Sequence, residues 1–147
     1  MRKKHLFLFL ALCAAATVSV ALGTAQSRHS KNAIFQRVQE HHRAYAEIAE
    51  QALIFGTLPK KLPRGVKSVR PWRGVQVDFL CRRRGLGSAG RYQGFYYSAD
   101  NVIRAFQGAE APFSPHGAGY LWRQPGGNNR CYVERIENHW YYFEMRS

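Results

Sequence analysis

The sequence predicts an α+β protein: a signal or anchor helix, then one long amphipathic helix packed on a bent antiparallel sheet of about five to six strands. Three observations carry this. Residues 6–25 are uncharged and largely apolar behind a basic start; the apolar residues of 30–55 recur at three-and-four spacing; and from Val75 onward the period drops to two. A helix followed by a run of antiparallel strands hides its apolar stripe by lying on one sheet face.

The first element is read from Arg2, Lys3 and Lys4 ahead of the apolar run. Basic flanks stay on the cytoplasmic side while the rest of the chain crosses. Gly23-Thr24-Ala25 presents small residues where a signal peptidase reads. About 20 apolar residues also suffice to span a bilayer uncleaved. Residues 1–25 are therefore expected to be a signal peptide or a membrane anchor. Leu12, bulky and directly before Cys13, argues against lipid attachment at that cysteine. Residues 26–147 then form a single exported domain, secreted, periplasmic or extracellular, or tethered to the membrane by 6–25.

The helix of 30–55 lines up Ile34, Val38, Tyr45, Ile48, Ala49, Ala52 and Leu53 on one face, and Gly56 ends it. Arg43 and Glu47 stand at i,i+4, a pairing worth a few tenths of a kcal/mol. Pro59, Pro63 and Pro71 make the next stretch an extended connector. In the strand that follows, Val75, Val77, Phe79 and Cys81 alternate with Gln76, Asp78, Leu80 and Arg82, which reads as half-buried. Residues 83–90 turn the chain into an aromatic strand at 92–98. A short strand is expected at 102–106, and Pro112, Pro115 and Gly117 mark a loop. Residues 119–123, 130–136 and 139–145 complete a meander, with turns at 125–129 and 137–138. A sheet wrapped around a single helix, the cystatin-like arrangement, accommodates this order.

Charge is distributed unevenly. Past residue 25, nineteen Lys and Arg face nine acids, leaving +10. Ten of those bases, Lys60, Lys61, Arg64, Lys67, Arg70, Arg73, Arg82, Arg83, Arg84 and Arg91, lie between 60 and 91 with Asp78 as the single acid. Outside a membrane the counter-charge for such a block is anionic envelope lipid, wall polymer or an acidic protein. Export removes intracellular nucleic acid from the list. The bland alternative is a solvated basic face that keeps the protein soluble.

Few residues suggest covalent chemistry. Cys81 and Cys131, a pair in an oxidising compartment, are expected to form a disulfide worth about 4 kcal/mol, the alternative being two buried thiols. Gly85-Leu86-Gly87-Ser88-Ala89-Gly90 matches a dinucleotide fingerprint, but the following residues have strand periodicity where the motif needs a helix. It is read as a hairpin loop. His41, His42, His116 and His139 lack metal-ligand spacing. Ser98, Asp100 and His116 nominally assemble a triad, without a nucleophile elbow. No catalytic residue, cofactor or metal is assigned. At 140–143, Trp140 and Tyr142 must face one way and Tyr141 and Phe143 the other. With Trp122, Trp140 and Tyr142 make a candidate aromatic platform for sugars, peptides or bases.

Gly94-Phe95-Tyr96-Tyr97-Ser98, Ala105-Phe106-Gln107-Gly108, Trp122, Arg135-Ile136 and Trp140-Tyr141-Tyr142-Phe143-Glu144 resemble a pattern in small exported bacterial proteins of unknown function. The resemblance implies a secreted bacterial module and supplies no active site. The leading expectation is a small exported or membrane-tethered, non-enzymatic binding protein whose basic segment 60–91 engages an anionic envelope surface or partner. A secreted enzyme inhibitor or small hydrolase is the alternative.

Overall fold

The computed structural model describes residues 29–85 and 89–147. The expected signal or anchor segment and the centre of the glycine-rich loop, 86–88, lie outside the described residues.

Helix α1 (Lys31–Phe55) begins at Ser30, whose hydroxyl accepts a hydrogen bond from the Ala33 N–H, and ends at Gly56 in the left-handed region, whose N–H returns to the Ala52 carbonyl. Ile34, Val38, Tyr45, Ala49 and Ala52 are its buried stripe. Between Val38 and Tyr45 the backbone leaves helical dihedrals at His41, and the Gln39 carbonyl accepts a hydrogen bond from the His42 ring. Among the described residues Arg43 makes no ion pair with Glu47; the pairs present are Lys31–Glu134 and Asp100–Arg104.

The remaining elements are β1 (Ser68–Trp72), β2 (Gln76–Arg84), β3 (Arg91–Ser98), a 3-10 turn (Phe106–Gly108), β4 (Ser114–His116), β5 (Gly119–Arg123), β6 (Arg130–Glu137) and β7 (Trp140–Arg146). They form one antiparallel sheet in the order β1-β2-β3-β7-β6-β5-β4. Its seven strands exceed the five to six expected. Both additional strands carry a proline, Pro71 in β1 and Pro115 in β4, and both lie at the sheet edges. An edge strand has one row of backbone groups without a ladder partner, so a missing N–H is tolerated there and a breaker residue does not exclude a strand. The strand expected at 102–106 does not form; the chain is irregular there and then makes the 3-10 turn.

Two cores result, one on each face of the sheet. On the helix side Val69, Val77, Phe79, Cys81, Phe95, Trp140 and Tyr142 meet the stripe of α1, with Tyr45 edge-on to Phe79 and Phe95 at ring distances of 5.4 and 4.9 Å. On the other side Tyr96, Cys131, Val133, Tyr141 and Phe143 lie under the segment 99–113, which contributes Ile103, Ala105, Phe106, Ala109, Ala111 and Phe113. The second core corrects two expectations. Gln76 and Asp78, placed by alternation on a solvent face, are 0% and 3% exposed because the segment 99–113 covers them. Cys81 and Cys131 are free thiols in different cores, so the expected disulfide is absent. Alternation correctly turned both cysteines inward, but a sheet covered on both faces has two interiors.

The segment over the second face is fastened by polar contacts. Arg104 donates to Asp100 through both terminal nitrogens, at 2.7 and 2.5 Å, and the Ser98 hydroxyl donates to Asp100 at 2.9 Å. These donors hold the Asp100 carboxyl well below its ordinary range, the Arg104 hydrogen bonds first among the causes. Tyr96 accepts from the Arg104 N–H, and the Tyr141 hydroxyl donates to the Asn101 carbonyl.

Packing is tight at Gly94 in β3, where an added Cβ would fall 2.2 Å from the Phe79 carbonyl oxygen and 3.1 Å from the Phe143 ring. Replacing Gly94 by alanine should therefore destabilise the fold by about 1–3 kcal/mol. Chemical denaturation measures this, and an unchanged midpoint would contradict the packing. A second measurement addresses the thiols. Without prior reduction, Cys81 and Cys131 should both be alkylated in the unfolded chain and resist alkylation in the folded one, as mapped by mass spectrometry.

Candidate functional site

Strand register assembles a row of arginines that sequence distance conceals. Arg84 of β2 stands opposite Arg91 of β3, and Arg91 opposite Arg146 of β7. Arg146 is in turn opposite Arg130 of β6, and Arg130 opposite Arg123 of β5. Five arginines thus cross five neighbouring strands at one end of the sheet, a span of about 19 Å at ordinary strand spacing. Like charges placed directly opposite destabilise a sheet. None of the five has a carboxylate within 4.0 Å among the described residues. Arg146 releases its proton more readily than an ordinary arginine through partial burial and the neighbouring Arg130 and Arg91, with Glu144 opposing.

A β-bulge puts the row on one face. The ladder between β2 and β3 slips at Cys81, so that Leu80 pairs with Gly94 and Arg82 with Gln93. Two residues of β2 then oppose one of β3, and alternation restarts one residue out of phase. Gln93 lies on the helix face, since its amide donates to the Tyr142 hydroxyl, and Arg82 and Arg84 fall there with it. Strict alternation would have turned Arg82 away from Cys81. Arg83 takes the opposite face and lies over the Tyr92 ring at 5.6 Å.

Part of the row walls a cavity of about 390 Å³ lined by Arg123, Arg130 and Arg146 with His116, Gly117, Leu121, Tyr132 and Glu144. Gly119 leaves space for the Tyr132 ring, because a Cβ there would lie 2.8 Å from the Tyr132 hydroxyl and 2.3 Å from the Val133 carbonyl oxygen. The Tyr132 hydroxyl donates to Glu134, which also accepts from Lys31 Nζ at 2.8 Å. Burial and the adjoining Glu134 push the Tyr132 phenol up to about 12, so it stays a neutral donor. Burial alone would raise the Glu134 carboxyl, but the bonds from Lys31 and Tyr132 outweigh it and lower it.

The ten bases expected to act as one surface separate into four places. Lys60, Lys61 and Arg64 are exposed on the connector after α1, and Arg73 sits exposed in the β1–β2 turn with a positive φ of 50°. Lys67, Arg70 and Arg83 border a cavity of about 380 Å³ on the other sheet face, beside Trp72, Asp78 and Tyr92. Arg82, Arg84 and Arg91 join Arg146 and Glu144 at the arginine end. Sequence reasoning missed Arg123, Arg130 and Arg146 because the chain outside 60–91 is close to neutral overall. The available signal was positional: Arg123 ends one expected strand, Arg130 begins the next, and Arg146 closely follows the last.

The aromatic platform does not exist. Trp140 and Tyr142 are 3% and 0% exposed beneath α1, and Trp122 packs on the opposite core. The nominal triad is also dispersed. Ser98 and Asp100 fasten the segment 99–113, whereas His116 is on β4, four places along the sheet from β3. Among the described residues no group of three His, Cys, Asp or Glu could hold a metal, and no helix is long and apolar enough to cross a membrane. The chain matches no family model, no curated protein and no solved structure.

Asp78 is a strongly perturbed acid beside the cavity of the other sheet face. It accepts from Gln76 Nε2 at 2.7 Å and from the Gln107 N–H at 2.9 Å, the latter presented by a residue held at φ 67°. Burial nonetheless dominates and pushes its carboxyl up to about 6. A folded-state value above the unfolded one means the native protein holds the proton more tightly. The stability so gained is complete below about pH 4 and is lost as pH rises through 6. Two units correspond to about 3 kcal/mol. Asp78→Asn, which cannot ionise, should therefore gain stability relative to the parent as pH goes from 4 to 7. Urea unfolding at both pH values gives the difference, and an equal difference at the two would remove the titration from Asp78.

Proposed function

We propose that this chain is a small exported or membrane-tethered, non-enzymatic binding protein that engages an anionic envelope surface through the arginine row. The observation carrying the reading is the row itself, five guanidinium groups opposed strand to strand without a carboxylate within 4.0 Å among the described residues. Such repulsion weakens the free fold and is relieved when an anion binds, so the arrangement favours a ligand over self-contained stability.

The course of the chain supports this reading. Helix α1 contacts β1, β2, β3, β6 and β7, and it begins over β6, where Lys31 meets Glu134. Arg130 lies four residues back along that strand, about 13 Å away. The chain thus enters the domain on the face that carries the row. A tether at 6–25 would hold that face toward headgroups, where each basic residue contributes about 1 kcal/mol. The same crossing of five strands by one helix supports a cystatin-like wrapping of the sheet. The resemblance of the C-terminal residues to exported bacterial proteins is consistent with this setting.

Replacing Arg84, Arg91 and Arg146 together by glutamine should leave the fold intact and weaken adsorption to anionic vesicles about a hundredfold at low salt. Neutral vesicles should not distinguish the variant from the parent. The parent's adsorption should also fall steeply between low and physiological ionic strength. Undiminished adsorption of the triple variant would reduce the row to a solubility feature.

A further inference from the structure

We infer that the cavity walled by Arg123, Arg130 and Arg146 is a discrete site for the phosphomonoester of a sugar or polyol. This deepens the anion-binding reading of the row and rests on it. The first argument is charge. Three arginines and Glu144 leave a formal +2 in the cavity, the complement of a phosphomonoester near its second ionisation and more than a monoanionic diester needs.

Size is the second argument. A cavity of about 390 Å³ falls in the range of small-molecule sites and exceeds what a bare phosphate fills. The ligand therefore carries an organic portion. Glu144 states what that portion offers. A carboxylate lowers affinity for any pure anion, yet it stands among the arginines without an ion pair among the described residues. The Tyr142 hydroxyl donates to its Oε1, and the Glu144 carboxylate makes no other hydrogen bond among the described residues, so it retains acceptor capacity for a ligand donor. With three guanidinium groups around it, that donor is a neutral hydroxyl rather than an ammonium. Tyr132 has committed its own hydroxyl to Glu134 and presents its ring to the cavity, with His116 edge-on to it at 6.3 Å. A carbohydrate or polyol face packs on such a ring.

The same chemistry is found in a free sugar phosphate and in a phosphorylated glycolipid at a membrane surface. Calorimetric titration of the intact chain with glucose 1-phosphate, methyl phosphate and inorganic phosphate tests the inference, and neutral vesicles doped with a phosphorylated glycolipid separate the sources. Glucose 1-phosphate should bind about tenfold more tightly than methyl phosphate, the worth of one or two hydrogen bonds. Arg130→Gln should weaken both by about tenfold. It should also keep or raise the melting temperature, because a repulsive neighbour is removed. Glu144→Ala should abolish the preference while leaving methyl phosphate bound at least as well. Binding to the doped vesicles alone assigns the site to the surface-borne form.

Equal affinity for glucose 1-phosphate and methyl phosphate, or a preference that survives Glu144→Ala, overturns the inference. So does the absence of binding to all three phosphates and to the doped vesicles. If the parent still adsorbs to anionic vesicles in that last case, the row reading stands and only the cavity reading falls. Selective glucose 1-phosphate binding without adsorption to anionic vesicles does the opposite: the cavity site stands and the row ceases to be a surface anchor.

Discussion

The pairing of β3 with β7 is the contact on which the molecule depends. It joins two units that are each local in sequence, β1-β2-β3 and β4-β5-β6-β7, through partners such as Phe95 with Tyr142, Tyr96 with Tyr141 and Tyr97 with Trp140. No tight turn enforces that seam, so loop-closure entropy must be recovered from the pair itself. Aromatic residues supply the recovery. Tyr96 stacks on Tyr141 at 5.1 Å on one face, and Phe95 and Tyr97 pack with Trp140 on the other at 5.9 and 5.1 Å. Because adjacent residues point to opposite faces, the seam feeds both cores at once.

A seam buried on both faces requires two covers, and they are built differently. Helix α1 covers its side with an apolar stripe and satisfies its own backbone. The segment 99–113 is largely irregular, so its polar backbone groups need partners from elsewhere. Tyr96, Tyr141, Asp78, Ser98 and Asp100 supply them from the sheet and the segment itself. The raised affinity of Asp78 for its proton is one cost of that arrangement, because the carboxyl that holds the Gln107 N–H is buried to do so.

The same seam concentrates charge. Bringing β3 against β7 sets Arg91 opposite Arg146 and connects Arg84 on one side with Arg130 and Arg123 on the other. At this end aromatic packing stabilises the ladder while electrostatics opposes it. A chain selected only for stability would place an acid in such a row. The acid that is present, Glu144, lies two residues along β7 from Arg146 and is bonded to Tyr142.

Sequence alone determined the local elements, because their signals are local. Helical spacing and Gly56 set α1, alternation and turn residues set β2, β3, β5, β6 and β7 to within a residue or two, and the uneven charge singled out Arg82, Arg84 and Arg91. Tertiary structure decided the rest. Pro71 and Pro115 were compatible with strands only at sheet edges, and edge position is a property of the assembled sheet. Cys81 and Cys131 were both inward, but only the existence of a second core shows that they never meet. The bulge at Cys81 and the β3–β7 register then united Arg84 and Arg91 with Arg123, Arg130 and Arg146. Proximity across a sheet depends on register and not on sequence distance, so a net charge counted along the chain could not reveal the row.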